Sequence, residues 1–422
     1  MNILTITNLY PRPDSPQRGL FNAQLFEAMR KAGGDLNIRN LCLVPEWRLW
    51  KWKTIRSWNT GPTLPGWSVP VCYLPVFYVP VAGRNFSGSI YWWSLKRSGI
   101  ADPGAGARMG DLMNGLGGIA QWADVIFSTW LYPDCVAAAR LAGCFGKPVW
   151  FKAHGSDTVH LLHPGRRRMV VNACDTARGI ICDSRRLAGK IKAAGTPAEK
   201  VHVIPNGVDP ARFQRRNRKG AWEELEMRSG GESSVFNRLG PIDSEEFERN
   251  RITLYVGNLV NVKGPDLLLK AWRIFMAENA GQNGFERPFL ALIGDGNMRK
   301  KLECMAGSMG IGDSVIFAGA RPHDDVALWM NVADCLCVPS RDEGMPNVLV
   351  EALASGLPVI ATDVGGCADT LEGCSDCEIV GTGGGEKGIV SGLANALNAR
   401  MHKGRDNDSR DFAVNVPAWS DT

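Results

Sequence analysis

The stretch 335–361 constrains the fold most strongly, because it contains a complete strand–loop–helix–strand pattern. The apolar run Cys335–Val338 predicts a buried strand, which Pro339 ends. Residues 347–353 predict a helix, and residues 359–361 begin another strand. Such a unit joins parallel strands through a crossover helix, so the stretch predicts an open α/β sheet.

Two carboxylates stand at informative places in this stretch. Glu343 lies in the loop just before the helix begins, and Glu351 lies about two turns further along that helix. Ligands of open α/β sheets bind at the carboxyl ends of the strands, and helix N-termini suit anionic or hydroxyl-rich groups. The pair therefore indicates a site that grips a polyhydroxyl ligand.

The first half of the chain predicts a doubly wound α/β domain over 1–205. It opens with strand 2–7, a loop rich in Pro, Asp and Ser, a helix over 20–31 and strand 36–44. Alternating strands and helices resume at residue 124 and continue to residue 204. This sustained alternation is typical of a parallel sheet with helices on both faces.

Two positions in this domain are candidates for ligand contact. Gly19 stands where the first loop meets the first helix, and it could let the backbone approach a phosphate. From position alone, a plain turn glycine is the simpler interpretation. His154 follows the strand 149–152 within His-Gly-Ser-Asp, and a histidine at a strand end is more often part of a ligand site.

A second βα series predicts another such domain over 251–405. Strand 252–256 leads into a loop that carries Lys263, and Pro265 stands at the first position of the next helix. A lysine in a strand-to-helix loop is well placed to meet a diphosphate. We expect 206–250 to be an interdomain connection with a variable surface excursion, and 406–422 to be a polar tail. The architecture predicted is two facing domains with a cleft between them.

The segment 46–108 is the least regular part of the chain. Seven of the fourteen tryptophans lie between Trp47 and Trp93, interleaved with lysine and arginine and broken by prolines. An exposed basic and aromatic surface would suit a membrane interface or a lipid-linked substrate. A loop-rich subdomain that uses tryptophan as local core explains the pattern equally well, so both interpretations stay open.

The overall composition narrows the class of protein. A net charge of +5 permits contact with phosphates or anionic membranes without requiring it. No run of about eighteen apolar residues is present, and the first residues lack a basic secretory n-region. Twelve cysteines lie mostly in apolar segments, which favours reduced thiols and a cytoplasmic protein. The Cys374-Ser-Asp-Cys377 spacing lacks the second pair of a zinc site.

Several motifs, in order along most of the chain, resemble the family 4 glycosyltransferases of GT-B fold. They are Gly19-Leu-Phe, His154-Gly-Ser-Asp157, Ile204-Pro-Asn-Gly-Val-Asp209, Tyr255-Val-Gly-Asn-Leu, Val262-Lys-Gly264, Ile293-Gly-Asp-Gly296, Pro339-Ser through Glu343-Gly-Met-Pro to Glu351, and Gly356-Leu-Pro through Gly366. The two glutamates separated by seven residues are specific in this setting. The first loop and the histidine motif look most like bacterial exopolysaccharide or teichuronic-acid enzymes.

The resemblance implies a retaining transfer of a hexose-type sugar from a nucleotide diphosphate sugar, without a metal or other cofactor. It implies that Glu343 holds the hexose hydroxyls, Lys263 neutralises the departing diphosphate, and His154 contacts the sugar near the reacting carbon. It implies that the leaving phosphate deprotonates the acceptor on the same face, so that Glu343 is a positioner. The remaining donor contacts that it implies are Gly19, Asn258, Gly344, Met345, Pro346, Asn347 and, to the ribose, Glu351.

The sequence departs from the family pattern in two places. Asn258 stands where many relatives carry arginine, so the grip on the diphosphate is expected to be weaker or to use another basic residue. Relatives usually continue beyond the end of this chain into a helix that returns to the first domain, so a truncated tail is the expectation here.

The expected partners are a UDP- or GDP-sugar donor and a glycan or lipid-linked acceptor. We expect a cytoplasmic enzyme, with peripheral contact to the inner face of the membrane as a further option and no role in nucleic-acid binding. Two alternatives stay open. The first is a catalytically impaired sugar-nucleotide-binding protein, and the second is a nucleotide-sugar epimerase of GT-B fold.

Overall fold

The structure of the protein is a computed structural model. It describes residues 1–16, 18–57, 59, 67–79, 81–100, 116–229, 238–239, 250–280, 288–403 and 417–418. Within them the chain forms two compact units, Met1–Asn206 and Gly207–Ala418. Each unit has its own parallel sheet with its own buried apolar core. The predicted tail, 406–422, lies outside the described residues except for 417–418.

The first unit contains a seven-stranded sheet in which every pairing is parallel. Its strands are β1 (Asn2–Thr7), β2 (Asn37–Pro45), β3 (Val71–Val76), β4 (Val125–Thr129), β5 (Val149–Ala153), β6 (Gly179–Cys182) and β7 (Val201–Val203). They lie in the order β3-β2-β1-β4-β5-β6-β7, so successive strands are added on one side of β1 up to β3 and on its other side from β4 onward. The doubly wound sheet predicted for this half is confirmed.

Helices cover both faces of this sheet. They are α1 (Leu20–Ala32), α2 (Lys51–Ser57), α3 (Ser87–Arg97), α4 (Leu116–Trp122), α5 (Val136–Phe145), α6 (Thr158–Leu161), α7 (Pro164–Thr176) and α8 (Arg185–Ala193). Ser184 caps α8 by accepting a hydrogen bond from the Leu187 N–H at 3.3 Å, as a serine before a helix commonly does. Helix α1 buries Leu25, one of the apolar residues whose spacing predicted it, together with Phe26.

Strand β3 lies inside the segment that the sequence pattern predicted to be irregular. It pairs with β2 from Asn40↔Val71 to Pro45↔Val76, and its residues Tyr73 and Val76 are buried. Pro75 obscured the strand, because proline cannot donate to a ladder. An edge strand tolerates it, and β3 is at the edge of the sheet.

The second unit contains a six-stranded sheet, again wholly parallel. Its strands are β8 (Arg251–Val256), β9 (Pro288–Ile293), β10 (Val315–Gly319), β11 (Cys335–Val338), β12 (Val359–Thr362) and β13 (Glu378–Val380). They lie in the order β10-β9-β8-β11-β12-β13. The loops that follow these strands therefore meet at one edge of the sheet.

The helices of the second unit bury the faces of that sheet. They are α9 (Arg218–Arg228), α10 (Pro265–Glu278), α11 (Arg299–Ser308), α12 (His323–Val332), α13 (Asn347–Ala354), α14 (Cys367–Leu371) and α15 (Gly385–His402). Helix α9 falls in the segment predicted as a connection. It buries Ala221, Trp222 and Leu225, and the ring of Trp222 meets Trp329 edge-on at 6.3 Å. No helix among the described residues has the length and apolar composition needed to cross a membrane.

One backbone contact brings the first loop of the second unit against the β11 end. Gly264, which precedes α10, has φ +65°, and a Cβ built on it would lie 2.0 Å from the carbonyl oxygen of Pro339. Only glycine permits both the left-handed backbone and this close approach. The lysine loop and the glutamate loop are thereby held together at the main chain.

We expect Gly264→Ala to destabilise the protein by at least about 2 kcal/mol, because the methyl group forces two backbones apart at a strained φ. Gly307→Ala is the matched control: Gly307 is in α11 with nothing within 4 Å of its Cβ position. There alanine should stabilise by up to about 1 kcal/mol or be neutral. Urea denaturation of both variants checks this, and equal midpoints would contradict it.

Candidate functional site

The second unit presents a lysine and a glutamate at neighbouring strand ends. Strand β8 runs into the loop 257–260 and a short helical turn, Asn261–Lys263, before α10 begins at Pro265. Strand β11 runs into the loop that carries Glu343, ahead of α13. Because β8 and β11 are adjacent and parallel, both loops lie at the carboxyl edge of the sheet.

The two side chains form a close ion pair. The Lys263 ammonium lies 2.6 Å from Oε1 and 2.7 Å from Oε2 of Glu343. The Ser340 hydroxyl donates to the same Oε1 at 2.7 Å. The Glu343 side chain is 7% exposed and that of Lys263 is 32% exposed, so the ammonium remains open to solvent while the carboxylate is enclosed. A charge-assisted contact of this kind holds both groups in fixed positions.

The glutamate loop is also held by its backbone. The Gly366 N–H donates to the Gly344 carbonyl at 2.5 Å, and the Thr362 hydroxyl donates to the Ser340 carbonyl at 2.6 Å. Gly365 has φ +55°, and a Cβ there would lie 2.3 Å from the carbonyl oxygens of Glu343 and Gly344. The loop after β12 thus packs directly against the loop after β11.

Arg341, which the sequence analysis did not single out, ties three elements together. Its guanidinium donates to both Asp266 oxygens at 2.8 Å and to the Asn261 carbonyl at 2.8 Å. It also reaches Glu386 at the start of α15. The hydrogen bond that Arg341 donates to Asp266 raises the pKa of Arg341. Burial acts to raise the pKa of Asp266, but the hydrogen bonds and charges of Arg341 and Lys270 together lower it. The lysine loop and the glutamate loop are therefore cross-linked by charge as well as by backbone.

Glu351 is buried on α13 and has a partner that the sequence analysis missed. His323 Nε2, at the start of α12, lies 2.9 Å from Glu351 Oε1. The His323 Nδ1 lies 3.3 Å from the Arg212 guanidinium, and the ring meets Phe213 edge-on. The sequence could have indicated His323 as a site residue, because it stands at the start of a helix shortly after the end of a strand.

The remaining predicted donor residues of this unit surround the same loops. Met345 and Pro346 are buried residues of the glutamate loop itself, and Asn347 begins α13. Asn258 is exposed, and its backbone carbonyl accepts a hydrogen bond from the Tyr255 hydroxyl at 2.9 Å. The Asn258 side chain brings no charge to the loop.

In the first unit, Gly19 has a structural reason to be glycine. It precedes α1 with φ +64°, and a Cβ there would lie 2.3 Å from the Leu9 carbonyl carbon. The close contact that it permits is with the protein's own backbone.

His154 follows β5, as predicted, and is enclosed. Its backbone N–H donates to Asp157 Oδ2 at 2.8 Å, and Asp157 Oδ1 accepts the Leu131 N–H at 3.0 Å. The imidazole meets Phe21 edge-on at 4.8 Å and lies 6.1 Å from the Trp130 ring. Asp157 thereby ties the backbone of the histidine to the segment that follows β4.

The His154 ring is a buried polar group with spare hydrogen-bonding capacity. Its Nε2 has no hydrogen-bond partner among the described residues. Burial, with a smaller effect of the nearby Lys152 ammonium, lowers the pKa of His154 to about 3. The imidazole is therefore neutral near pH 7 and can donate or accept a hydrogen bond with a ligand hydroxyl.

A second buried carboxylate, also missed in the sequence, lies near the ends of β1 and β4. Asp134 is fully buried and accepts the Asn8 backbone N–H at 2.6 Å and the Asn8 side-chain amide at 3.1 Å. Arg18 donates to the Asn8 carbonyl at 3.3 Å. Burial raises the pKa of Asp134 well above its usual range. An aspartate soon after a strand end was the signal that could have revealed it.

Within the described ranges, no three His, Cys, Asp or Glu side chains gather in an arrangement that could hold a metal ion. Cys374 and Cys377 are joined by a disulfide with their Cα atoms 5.4 Å apart. The other ten cysteines are free, and seven of those are buried.

The pKa of His154 yields a prediction about acid stability. The folded pKa lies below the usual value of about 6.5, so the folded state resists protonation that the unfolded chain accepts. The stabilisation is present above pH 6.5 and is lost as the pH falls towards 3. From pH 8 to pH 5 we expect this residue alone to remove about 2 kcal/mol from the free energy of unfolding.

Urea denaturation of the parent protein and of His154→Gln at several pH values between 8 and 5 measures this contribution. The variant should show the shallower pH dependence, whatever its stability at pH 8. Parallel curves for the two proteins would show that the histidine is not held neutral.

Comparison with known proteins identifies two family matches. Residues 241–387 match the family described as "Glycosyl transferases group 1", and residues 88–212 match "Glycosyltransferase Family 4". The first match contains the lysine and glutamate loops, and the second contains His154.

Two proteins of similar sequence are also described as glycosyltransferases. The chain is 28% identical over 375 residues to TuaC of Bacillus subtilis, assigned to teichuronic acid biosynthesis as a glycosyltransferase, with 87% of this chain and 82% of TuaC covered. It is 26% identical over 379 residues to the D-inositol 3-phosphate glycosyltransferase of Acidothermus cellulolyticus, with 84% and 72% covered.

Solved structures show the same fold. HepE (Alr3699) of Anabaena, in complex with UDP and glucose, matches with a TM-score of 0.63 at 18% identity, over 100% of this chain and 94% of HepE. WaaG, a glycosyltransferase involved in lipopolysaccharide biosynthesis, matches with a TM-score of 0.62 at 16% identity, over 96% and 91%. The fold of the chain is therefore the GT-B fold that the sequence predicted.

Proposed function

We propose that the chain transfers a hexose-type sugar from a nucleotide diphosphate sugar with retention of anomeric configuration. The proposal is supported by the matches of residues 241–387 and 88–212 to group 1 and family 4 glycosyltransferases. The acceptor is a glycan or a lipid-linked saccharide. The reaction needs no metal ion, because Lys263 supplies the positive charge that the leaving diphosphate requires.

The observation that carries this proposal is the Lys263–Glu343 pair at the carboxyl edge of the second sheet. The ammonium is fixed by Glu343 at 2.6 and 2.7 Å yet remains partly exposed. A diphosphate that enters this edge meets a positive charge already in place, so little reorganisation is needed when negative charge develops on the leaving group. Glu343 then keeps its hydrogen bond from Ser340 while its other lone pairs accept from sugar hydroxyls.

In the proposed step, the bond from the anomeric carbon to the diphosphate oxygen breaks with its electron pair on that oxygen. The acceptor hydroxyl oxygen forms the new bond to the same face of the sugar, and its proton passes to the departing phosphate. The products are the glycoside and a nucleoside diphosphate. Glu343 acts as a positioning residue, which agrees with a carboxylate already engaged by Lys263 and Ser340.

We assign the ribose to Glu351, whose carboxylate is held by His323 and can accept from two vicinal hydroxyls. The donor loop that precedes it is formed by Gly344, Met345, Pro346 and Asn347. In the first unit, we assign the buried and neutral His154 a hydrogen bond with a sugar hydroxyl. We assign Gly19 a position near the phosphates because it stands at the N-terminus of α1.

The relatives favour a UDP-sugar over a GDP-sugar. The HepE structures contain UDP, UDP with glucose, or UDP-glucose. TuaC is assigned to teichuronic acid biosynthesis and WaaG is involved in lipopolysaccharide biosynthesis, which supports a saccharide acceptor.

Asn258 favours a second candidate, a protein that binds the sugar nucleotide but transfers poorly. An uncharged side chain in the lysine loop weakens the neutralisation of the diphosphate. Tight nucleotide binding by calorimetry, without donor hydrolysis or transfer, would support this candidate. An epimerase of the same fold would instead interconvert donor sugars without any acceptor.

We expect Lys263→Ala and Glu343→Ala each to lower donor turnover by about 100-fold or more, since each removes a group that acts on the reacting sugar or its leaving diphosphate. Lys301→Ala removes an exposed helical lysine in the same unit and should retain activity. A panel of UDP- and GDP-sugars, assayed for release of nucleoside diphosphate, measures this. Near-parental turnover in either site variant, with the fold intact by circular dichroism, would refute the assignment.

A further inference from the structure

The segment 46–57 of the first unit exposes large apolar side chains to an unusual degree. It follows β2 and contains the exposed residues Trp50 (71%), Leu49 (63%) and Trp47 (51%), all of which lie just before α2. Because β2 is parallel to its neighbours, the segment begins at the carboxyl edge of the seven-stranded sheet. Three large apolar residues that are adjacent and exposed mark an interaction surface.

This surface is held in place by the fold. Glu46 is buried, accepts the Arg48 guanidinium through both carboxylate oxygens at 2.8 Å, and its backbone carbonyl accepts the Trp52 indole N–H at 3.1 Å. Ile55 is buried and anchors α2 to the core of the unit. These contacts already fix the backbone of the segment, so binding through its exposed apolar side chains requires little further loss of conformational entropy.

The tryptophans and the basic residues form one continuous patch. The rings of Trp47 and Trp50 meet edge-on at 6.2 Å, and the Arg48 guanidinium lies 5.8 Å from the centre of the Trp47 ring. Exposed cations follow along α2, namely Lys51, Lys53 and Arg56. The sole acidic residue between 46 and 57 is Glu46, whose charge is already matched by Arg48.

We propose that the segment 46–57 docks the protein on an anionic lipid bilayer. Trp47, Leu49 and Trp50 would enter the headgroup region, where indole rings are favoured, and the cations of α2 would meet acidic headgroups. Such docking is separate from the transfer of sugar and involves none of the residues assigned to that reaction. The tryptophans of this region fall into two groups, since Trp52 and Trp67 are half-buried as local core whereas Trp47 and Trp50 are exposed.

The positive charge of segment 46–57 favours an anionic bilayer, rather than a second copy of the chain, as its binding partner. Two copies facing each other through this segment would oppose Lys51, Lys53 and Arg56 with the same cations, a repulsive arrangement. A bilayer rich in acidic lipid presents the complementary charge over the whole patch.

The test is co-sedimentation of the full chain with vesicles of phosphatidylcholine containing 30% phosphatidylglycerol, compared with vesicles of phosphatidylcholine alone. We expect binding to the anionic vesicles, and weaker binding as salt is raised. Leu49→Ser/Trp50→Ser and Lys51→Glu/Lys53→Glu should each lower the partition coefficient by about tenfold or more.

Matched control variants come from the second unit. Met227→Ser removes a residue that is 77% exposed, and Lys300→Glu/Lys301→Glu reverses two exposed helical cations. Both controls should bind anionic vesicles as the parent does. All variants should retain the parental rate of soluble donor hydrolysis, so a failure of docking is distinguishable from a failure of the proposed reaction.

Four results would each overturn the proposal. The first three are no vesicle binding by the parent protein, equal binding by the segment variants and the controls, and a self-association in analytical ultracentrifugation that the segment variants abolish while vesicles are ignored. The fourth is equal binding to the neutral and the anionic vesicles, because the proposed docking depends on charge.

Discussion

The candidate site depends on the close approach of loop backbones at one edge of a parallel sheet. Gly264 lies against the carbonyl of Pro339, and Gly365 lies against those of Glu343 and Gly344, at distances that no side chain would permit. These backbone contacts set the spacing of the lysine and glutamate loops independently of their side chains. The Lys263–Glu343 pair and the Arg341–Asp266 pair then act on loops that are already in register.

The two units handle buried polar groups in different ways. In the second unit, cations and carboxylates neutralise one another, and the lysine ammonium remains partly open to solvent. In the first unit, the buried groups Asp134 and Asp157 are held by backbone N–H donors, and His154 is kept neutral by burial. The former arrangement suits a ligand that carries or develops negative charge, and the latter suits one that offers hydroxyls.

Most strands were predictable because apolar runs bounded by glycine and proline are a local property of the chain. For example, β11 ends just before Pro339 and β12 begins shortly after Gly356, as the pattern predicted. Strand β3 was missed because Pro75 interrupts the local pattern. The strand tolerates this proline because β3 lies at the edge of the sheet. Helix α9 was missed because its polar face dominates its composition, and its burial depends on contact with Trp329.

By itself, the sequence determined that the chain forms two parallel α/β sheets and that Lys263, Glu343 and His154 follow strands, since periodicity and turn residues act over short distances. Tertiary structure decided which side chains meet. Lys263 pairs with a residue 80 positions away, Arg341 with one 75 away and His323 with one 28 away. Those partners follow from strand order and loop contact, which no local pattern specifies. The same holds for Trp47 and Trp50, whose exposure depends on how Glu46 and Ile55 fix the base beneath them.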